Sequence, residues 1–349
     1  MNETMAREQF HTAAAAADDG IRGALGALLN QGVSEAAREV AEAARRTERT
    51  VAASSSTLSA PAAAAFRRAA AAEASVGGVV VAVTADGSTT WTQRGTDEVG
   101  DGRLCRWTSV RGRSEDGTRE WEERWWETSD RFGYRELGAA KEGRETSGAV
   151  WSETWTEALD EGQGGLTAVQ RSADKRGRDA EGSEWHERWG EYYEDGGLVD
   201  KSADKWARLP PGHHPAPGHG SYWHERWGER YEADGGEITK WTDRWAEREA
   251  EGTAWGDKWE ERHNANSAGG GRKVGETWKH YPGGQWQQWW GEESVEGGVR
   301  KHGHNADGHS WDSTEHGSMW VSGPHFNFDM ALAHSKKLLD VKLRHKLDN

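Results

Sequence analysis

This sequence predicts a mainly β protein: an extended single-layer antiparallel sheet of Trp-rich hairpin repeats, with α-helices at the N-terminus and one at the C-terminus. The first observation is a repeated unit. Trp185-His-Glu-Arg-Trp189-Gly-Glu-Tyr-Tyr193 leads through Asp195-Gly-Gly197 to Lys201-Ser-Ala-Asp-Lys-Trp206. A second copy runs Trp223-His-Glu-Arg-Trp227-Gly-Glu-Arg-Tyr231, Asp234-Gly-Gly236, Lys240-Trp-Thr-Asp-Arg-Trp245. An imperfect earlier copy holds Trp151-Ser-Glu-Thr-Trp155-Thr-Glu-Ala-Leu159 and Arg171-Ser-Ala-Asp-Lys175. A period of about 34 to 38 residues with Gly-Gly at its centre reads as strand, turn, strand.

The second observation is alternation. Residues i, i+2 and i+4 of a strand share a face. Trp185, Glu187, Trp189, Glu191 and Tyr193 therefore point one way, and His186, Arg188 and Tyr192 the other. The same split separates Trp223, Glu225, Trp227, Glu229 and Tyr231 from His224, Arg226 and Arg230. It recurs in Trp241, Asp243, Trp245 and Glu247 against Lys240 and Arg244. At roughly 3.3 Å per residue, successive indoles of one strand stand about 13 Å apart with a carboxylate between them. A helix would also bring i and i+4 together. Runs of about nine residues ending at Gly-Gly are short for one, however, and the parity of acids and bases is a strand property.

The third observation is what the composition lacks. Hydrophobic residues make up 34% and charged residues 30% of the 349, with 45 Gly and 22 Trp. So few aliphatic side chains cannot fill an ordinary two-layer core. Low hydrophobicity with high charge would favour disorder, but the Trp density and the alternation point to a thin sheet with accessible Trp rows.

Taken in order, the chain divides into a helical segment and linker (1–75), a Trp-rich sheet domain (76–322) and a C-terminal docking helix (323–349). Helices are expected from Glu3 to Asn30, from Ser34 to about Thr50 and over Ala62 to Glu73, with Ser54 to Pro61 as linker. Val76 to Val83, the turn Ala85-Asp-Gly-Ser88 and Thr89 to Trp91 form the first hairpin. Leu104 to Val110 and Arg119-Glu-Trp121-Glu-Glu-Arg-Trp125-Trp-Glu127 follow as strands. The Pro/Gly/His stretch Leu209 to Gly220 cannot sit in a ladder. Beyond it come Trp255-Gly-Asp-Lys-Trp259, Lys273 to Tyr281, Gln285 to Trp290 and shorter strands up to Trp320. The tail opens at Gly323-Pro-His-Phe-Asn-Phe-Asp329. It continues as a helix from Met330 to Lys346 with Leu332, Leu338, Leu339 and Leu343 as apolar positions, Phe326 and Phe328 docking it.

A net charge of −15, with bases interleaved among acids, argues against nucleic acid as a partner. No apolar run approaches membrane-spanning length, so no membrane partner is expected. The single cysteine, Cys105, excludes an intrachain disulfide and a Cys-based zinc site, and reads as a half-buried thiol beside Trp107. Glu3 and Glu8 argue against an intact leader, so an imported protein would be shown here without its transit peptide.

Indoles flanked by carboxylates are a recurring way to hold sugars: the C–H face of a pyranose stacks on the ring and Glu or Asp accepts from hydroxyls. Rows of them across strands make a ridged surface suited to a long polymer, where weak contacts add. The alternative, Trp residues packed on one another or on the terminal helices, stays open at this point.

The Trp-x-Glu-Lys/Arg-Trp-x-Glu-x-Tyr strands, the Gly-Gly turns, the Lys-x-Ala-Asp-Lys-Trp returns and the closing Pro-His-Phe-x-Phe resemble the Early Starvation / Like Early Starvation family, leaning to the Like Early Starvation branch. The likeness runs from about Trp91 to Leu343. It implies a plastid protein at the starch granule that binds amylopectin double helices without catalysis or cofactor and orders the semicrystalline matrix. Other starch-metabolism proteins are conceivable partners. The resemblance carries glucan contact onto Trp121, Trp125, Trp151, Trp155, Trp185, Trp189, Tyr193, Trp223, Trp227, Tyr231, Trp241, Trp245, Trp255 and Trp259. Trp206 and the intervening acids Glu123, Glu153, Glu187, Glu191, Glu225, Glu229, Asp243 and Asp257 complete the candidate set. Leu159 replaces the Tyr of the unit, and Arg176 stands where other copies carry Trp206 and Trp245.

Rival readings are weaker. Trp189-Gly, Trp227-Gly, Trp255-Gly and Trp290-Gly look like motifs that dock single indoles into a protein partner, but such segments lack period-2 alternation. Carboxylate pairs suggest a glycoside hydrolase, yet nothing in the repeating rows desolvates one acid to raise its pKa. His302, His304, His309 and His316, with His213, His214 and His219, read as solvated loop residues rather than a metal site.

Overall fold

The structure, a computed structural model, describes residues 79–340 apart from 85, 101, 163–164, 217–218, 265–269, 320–323 and 325. The helices expected within residues 1–75, Trp320, and the end of the tail helix with Leu343 and Lys346 lie outside the described residues. By contact the chain forms two units, residues 1–75 with 83–87 and residues 76–82 with 88–349. The second carries the architecture that follows.

Sixteen strands form one sheet, in which every strand neighbours the one before it in the chain. They are β1 (Val80–Val83), β2 (Thr89–Glu98), β3 (Leu104–Arg113), β4 (Arg119–Ser129), β5 (Tyr134–Glu145) and β6 (Val150–Asp160). Then come β7 (Ala168–Arg178), β8 (Glu184–Glu194), β9 (Val199–Arg208), β10 (Tyr222–Tyr231) and β11 (Glu237–Arg248). The last are β12 (Thr253–Asn264), β13 (Gly271–Tyr281), β14 (Gly284–Val295), β15 (Gly298–Asn305) and β16 (Ser310–Glu315). The single described α-helix is α1 (Phe328–Asp340). The expected mainly β, single-sheet fold is what the chain adopts.

Turn chemistry explains why so polar a chain folds back at these points. In the β3–β4 turn the Asp116 carboxylate accepts from the Thr118 amide at 3.0 Å and from the hydroxyls of Ser114 and Thr118 at 2.7 and 2.8 Å. Gly117 takes φ +70° beside it, a conformation that side chains resist. These bonds hold the Asp116 carboxyl down at about 2, the Ser114 hydroxyl contributing most. The Pro/Gly/His stretch leaves the ladder between β9 and β10, as expected, and Arg248 Nε donates to the His219 carbonyl at 2.8 Å to pin it.

Among the described residues the hydrophobic core cluster lies at one end of the strands and on one face. Leu159, Val169, Tyr193, Val199 and Tyr231 line up across β6 to β10 and are buried with Ala331 and Leu339 of α1. The helix meets the sheet through Ala331, Ser335 and Leu339, at a spacing of four, all nearly or fully buried. Of the apolar positions expected there, Leu339 is among these buried contacts and Leu332 packs against the same cluster partly buried. Small residues take the other two buried contacts, and they allow close approach. Phe326 stacks edge-on against Tyr193 at 5.7 Å, and Phe328 packs on the same cluster, so both phenylalanines do dock the tail.

A buried polar pin fixes the helix in register. Arg171 bonds Glu157 at 3.2 Å and the Ala331 carbonyl at 3.3 Å, and the Ser335 hydroxyl donates to Glu157. Both charged side chains are over nine-tenths buried, so removing one would strand the other.

Candidate functional site

Cross-strand register decides which side chains share a face, because directly paired residues of antiparallel strands point the same way. Trp185 pairs with Gly177 and Ala207, and Trp223 with Ala207 and Ala246. Followed along the sheet, one row on the first face reads Trp121, Trp151, Trp185, Trp223, Trp255 and Trp286, carried by β4, β6, β8, β10, β12 and β14. A second row, four residues further along the strands, reads Trp125, Trp155, Trp189, Trp227, Trp259, Trp290 and, on β16, Trp311. The intervening strands put small residues beside most of these rings, among them Gly143, Gly177, Ala173, Ala203, Ala207 and Gly275. Neighbouring rings of one row are therefore two strands apart, about 9.6 Å, closer than the roughly 13 Å along a strand. The rows run across the strands.

Between the two Trp rows lies a ladder of alternating charge. Glu123, Lys141, Glu153, Lys175, Glu187, Lys205, Glu225, Arg244 and Asp257 follow one another strand by strand. Lys175 reaches Glu153 at 3.0 Å, Lys205 reaches Glu225 at 3.9 Å and Arg244 reaches Asp257 at 3.0 Å. The second ladder, beyond the second Trp row, runs from Glu157 and Arg171 through Glu191, Lys201, Glu229 and Lys240. Return-strand bases thus share the first face with the acids instead of lying opposite them. Exposed pairs of this kind contribute about 0–1 kcal/mol each, which leaves the carboxylates able to exchange partners.

Ring exposure falls steadily toward the helix. Trp185 and Trp223 of the first row are each 38% exposed, Trp189 of the second is 9% exposed, and Tyr193 beyond it is fully buried. Tyr193 and Tyr231, expected among the binding residues, are core residues instead, their hydroxyls donating to Glu191 at 2.9 Å and Glu229 at 3.0 Å. Burial raises the Tyr193 phenol above its usual range, with Glu191 adding to it. Leu159, the departure from the Tyr position, is a member of that same core.

The expected set is also divided between faces. Trp206, Trp241, Asp243 and Trp245 lie on the second face, because their registers pair them with His224, Gly228, Arg226 and His224 in turn. There Trp206 stacks on Tyr222 at 6.1 Å and Tyr222 packs against Trp245 at 4.8 Å, while His224 bonds Asp204 at 2.9 Å. Trp107 and Trp126 also belong to this face, each tied by its indole N–H, to Asp97 and to Glu136, both at 2.6 Å. On the first face the Lys273 ammonium stands 4.2 Å above the Trp259 ring.

Trp286, Trp290 and Trp311 join the first-face rows though they were not among the expected residues. The signal was present in Trp286-x-Gln288-x-Trp290-x-Glu292, with Gln in the acidic position. Cys105 is more deeply buried than expected, on the second face of β3. His302 and His304 are strand residues of β15, His304 stacked on Trp289 at 4.9 Å, whereas the sequence placed them in loops. Among the described residues no group of three His, Cys, Asp or Glu is arranged to hold a metal ion.

A one-layer sheet with indole rows crossing its strands and paired charges between them defines the class: a Trp-striped β-sheet protein. The family model described as "Like early starvation, chloroplastic" matches residues 82–327, and the chain belongs to the Early Starvation / Like Early Starvation family. It is 42% identical over 265 residues to Protein EARLY STARVATION 1, chloroplastic, of Marchantia polymorpha, covering 74% of this chain and 44% of that protein. Against Protein EARLY STARVATION 1, chloroplastic, of Arabidopsis thaliana it is 39% identical over 266 residues, 75% of this chain and 59% of the relative. Protein LIKE EARLY STARVATION, chloroplastic, of the same plant is 39% identical over 127 residues, 36% of this chain and 22% of that protein. The chain thus spans less than two thirds of each of these relatives' lengths. No solved structure matches it.

Proposed function

We propose that this chain is a non-catalytic plastid protein that binds starch glucan, its first-face Trp rows stacking along amylopectin double helices and stabilising their ordered packing. The observation that carries the reading is the pair of regular indole rows with an acid–base ladder between them. Six strands from β4 to β14 carry a ring of each row, a span of about 48 Å at roughly 4.8 Å per strand. A ligand matching that span is a long, repeating polymer. Each ring offers an apolar plate for a pyranose face, and the ladder carboxylates accept from hydroxyls while the lysines and arginines donate. The chloroplastic names of the relatives support the location.

The form of the site favours binding over catalysis. A glycoside hydrolase needs one carboxyl whose pKa is raised by an apolar setting. In the first-face ladder the acids instead stand beside return-strand bases, Glu153 by Lys175 and Asp257 by Arg244, each at 3.0 Å. Two of the four Trp-Gly pairs also have a structural explanation. Gly228 lies under Trp241 and Gly256 under Trp278, so the glycine serves the second face while its Trp serves the first.

Co-sedimentation with insoluble starch, amylose gel and cellulose tests the proposal. Replacing Trp185, Trp189, Trp223 and Trp227 with Ala is expected to lower retention on starch at least tenfold, at on the order of 1 kcal/mol per ring. Replacing Trp206, Trp241 and Trp245 on the second face is expected to change it much less. Unchanged retention by the first-face variant, with its β circular-dichroism spectrum intact, would overturn the assigned surface.

A further inference from the structure

We infer that the first face distinguishes the two directions of a glucan chain and holds chains in one polarity. This rests on the proposed glucan reading and adds to it a selectivity that rows of rings alone do not imply. The observation is the way the indoles lie. A methyl group added at Gly143, Gly275 or Gly303 would run first into the ring of Trp151, Trp290 or Trp311. At Gly177 it would stand 2.6 Å from Trp185 Cζ2. Each of these four glycines is paired with a Trp on both sides, and each time the ring over it belongs to the following strand. Gly112, covered by Trp121, agrees. Where a glycine reports the lean of a first-face ring, the ring therefore leans toward β1. On the second face Gly95, Gly228 and Gly256 are likewise covered by Trp107, Trp241 and Trp278 of the following strands, while Gly138 of β5, whose one paired Trp is Trp126, is covered from the preceding strand.

The cause is the tandem repeat. Each unit is two strands, so successive copies are related by translation along the sheet, and all Trp-bearing first-face strands run parallel to one another. Translation preserves lean. A row of rings inclined one way has no two-fold axis normal to the sheet, and a glucan chain has none either. The two placements of the chain, reducing end toward β1 or toward β16, therefore present different edges and hydroxyls to every ring and carboxylate. A preference of about twofold at each ring compounds over a six-ring row to on the order of sixtyfold, because linked contacts multiply.

The test is nuclear magnetic resonance of the Trp indole N–H signals in the full chain. The probe is a linear α-1,4 maltooligosaccharide shorter than the row, carrying a nitroxide at its reducing end in one sample and at its non-reducing end in another. A chain held in one polarity carries its reducing-end label to one end of the rows and never to the other. The expected result is broadening at least about fivefold stronger at one end, either Trp121 and Trp125 or Trp286 and Trp290, with the ends exchanged when the label is moved. Equal broadening at both ends with both labels, while the unlabelled sugar still shifts the same signals, overturns the polarity and leaves glucan binding standing. No shift with unlabelled sugar and no retention on starch overturns both. In the double variant Gly143→Ala, Gly177→Ala the end-to-end difference is expected to shrink, and in Gly138→Ala, which alters a glycine of the same β5 on the other face, to persist. Retention of the full difference in the double variant would show that the lean does not set the direction.

Discussion

Trp185 and Tyr193 stand on one strand and one face, eight residues apart, yet one is among the most open aromatic residues of the sheet and the other is sealed in its core. Nothing in the strand itself separates them. The difference is α1 with Phe326, which covers the Tyr193 end across β5 to β8 and leaves the Trp185 end bare. A thin sheet has no second layer to bury its aromatic rows, so a single short helix decides which row becomes structure and which remains surface. Trp189 sits between the two regimes and shows the intermediate exposure expected of that place.

Substitutions along this gradient break or sharpen the comparison. The largest effect on stability is expected at the pin: Arg171→Ala leaves Glu157 buried without its partner and should cost about 3–5 kcal/mol in denaturant unfolding. Tyr193→Ala should cost a similar amount, about 3–5 kcal/mol, by opening a cavity beneath Phe326. In both, starch retention per folded molecule is expected to be near wild type. Next comes Trp189→Ala, which should lose about 1–3 kcal/mol of stability together with part of the starch binding, since its ring serves both purposes. Trp185→Ala should change stability by less than about 1 kcal/mol while weakening starch retention several-fold. If Trp185→Ala unfolds the sheet as readily as Tyr193→Ala does, the open row is a structural row and the contrast collapses.

The smallest expected effect lies at the uncovered end of the strands, where polar turns take the place of a core. Asp116 is held down to about 2 from an ordinary 3.8, first by the Ser114 hydroxyl and then by Thr118. A folded-state pKa below the unfolded one stabilises the fold above the unfolded value and loses that contribution as the pH falls through the folded one. The Tm difference between wild type and Asp116→Asn is therefore expected to be full near neutral pH and to close between about pH 4 and pH 2. A difference that widens on acidification would show that the carboxylate does not support the turn.

Much of this was legible in the chain. The Gly-Gly and Asp-Gly turns, the period-2 parity of Trp185 to Tyr193, and the docking phenylalanines are local signals, and each is found where the sequence put it. The face assignments were legible only in part. Trp241 and Trp245 repeat the spacing of Trp223 and Trp227, yet they lie on opposite faces because hairpin register pairs Gly228 with Trp241. Parity within a strand says nothing of parity between strands, since a one-residue slip in pairing turns every side chain over. Trp286 and Trp290 were obscured by Gln288 standing where the other copies carry an acid.

By itself, then, the sequence determined that the chain would be a one-layer meander, because aliphatic residues are too few for two layers and the alternation, with short runs ending at Gly-Gly, favours strands over helices. It also determined the family and the residues able to stack. Only the tertiary structure decided that the rows cross the strands, that the acids between them are paired with return-strand bases, and that Tyr193 and Tyr231 are core. Those outcomes depend on cross-strand register and on where the tail comes to rest, contacts between residues far apart in the chain that no local pattern encodes.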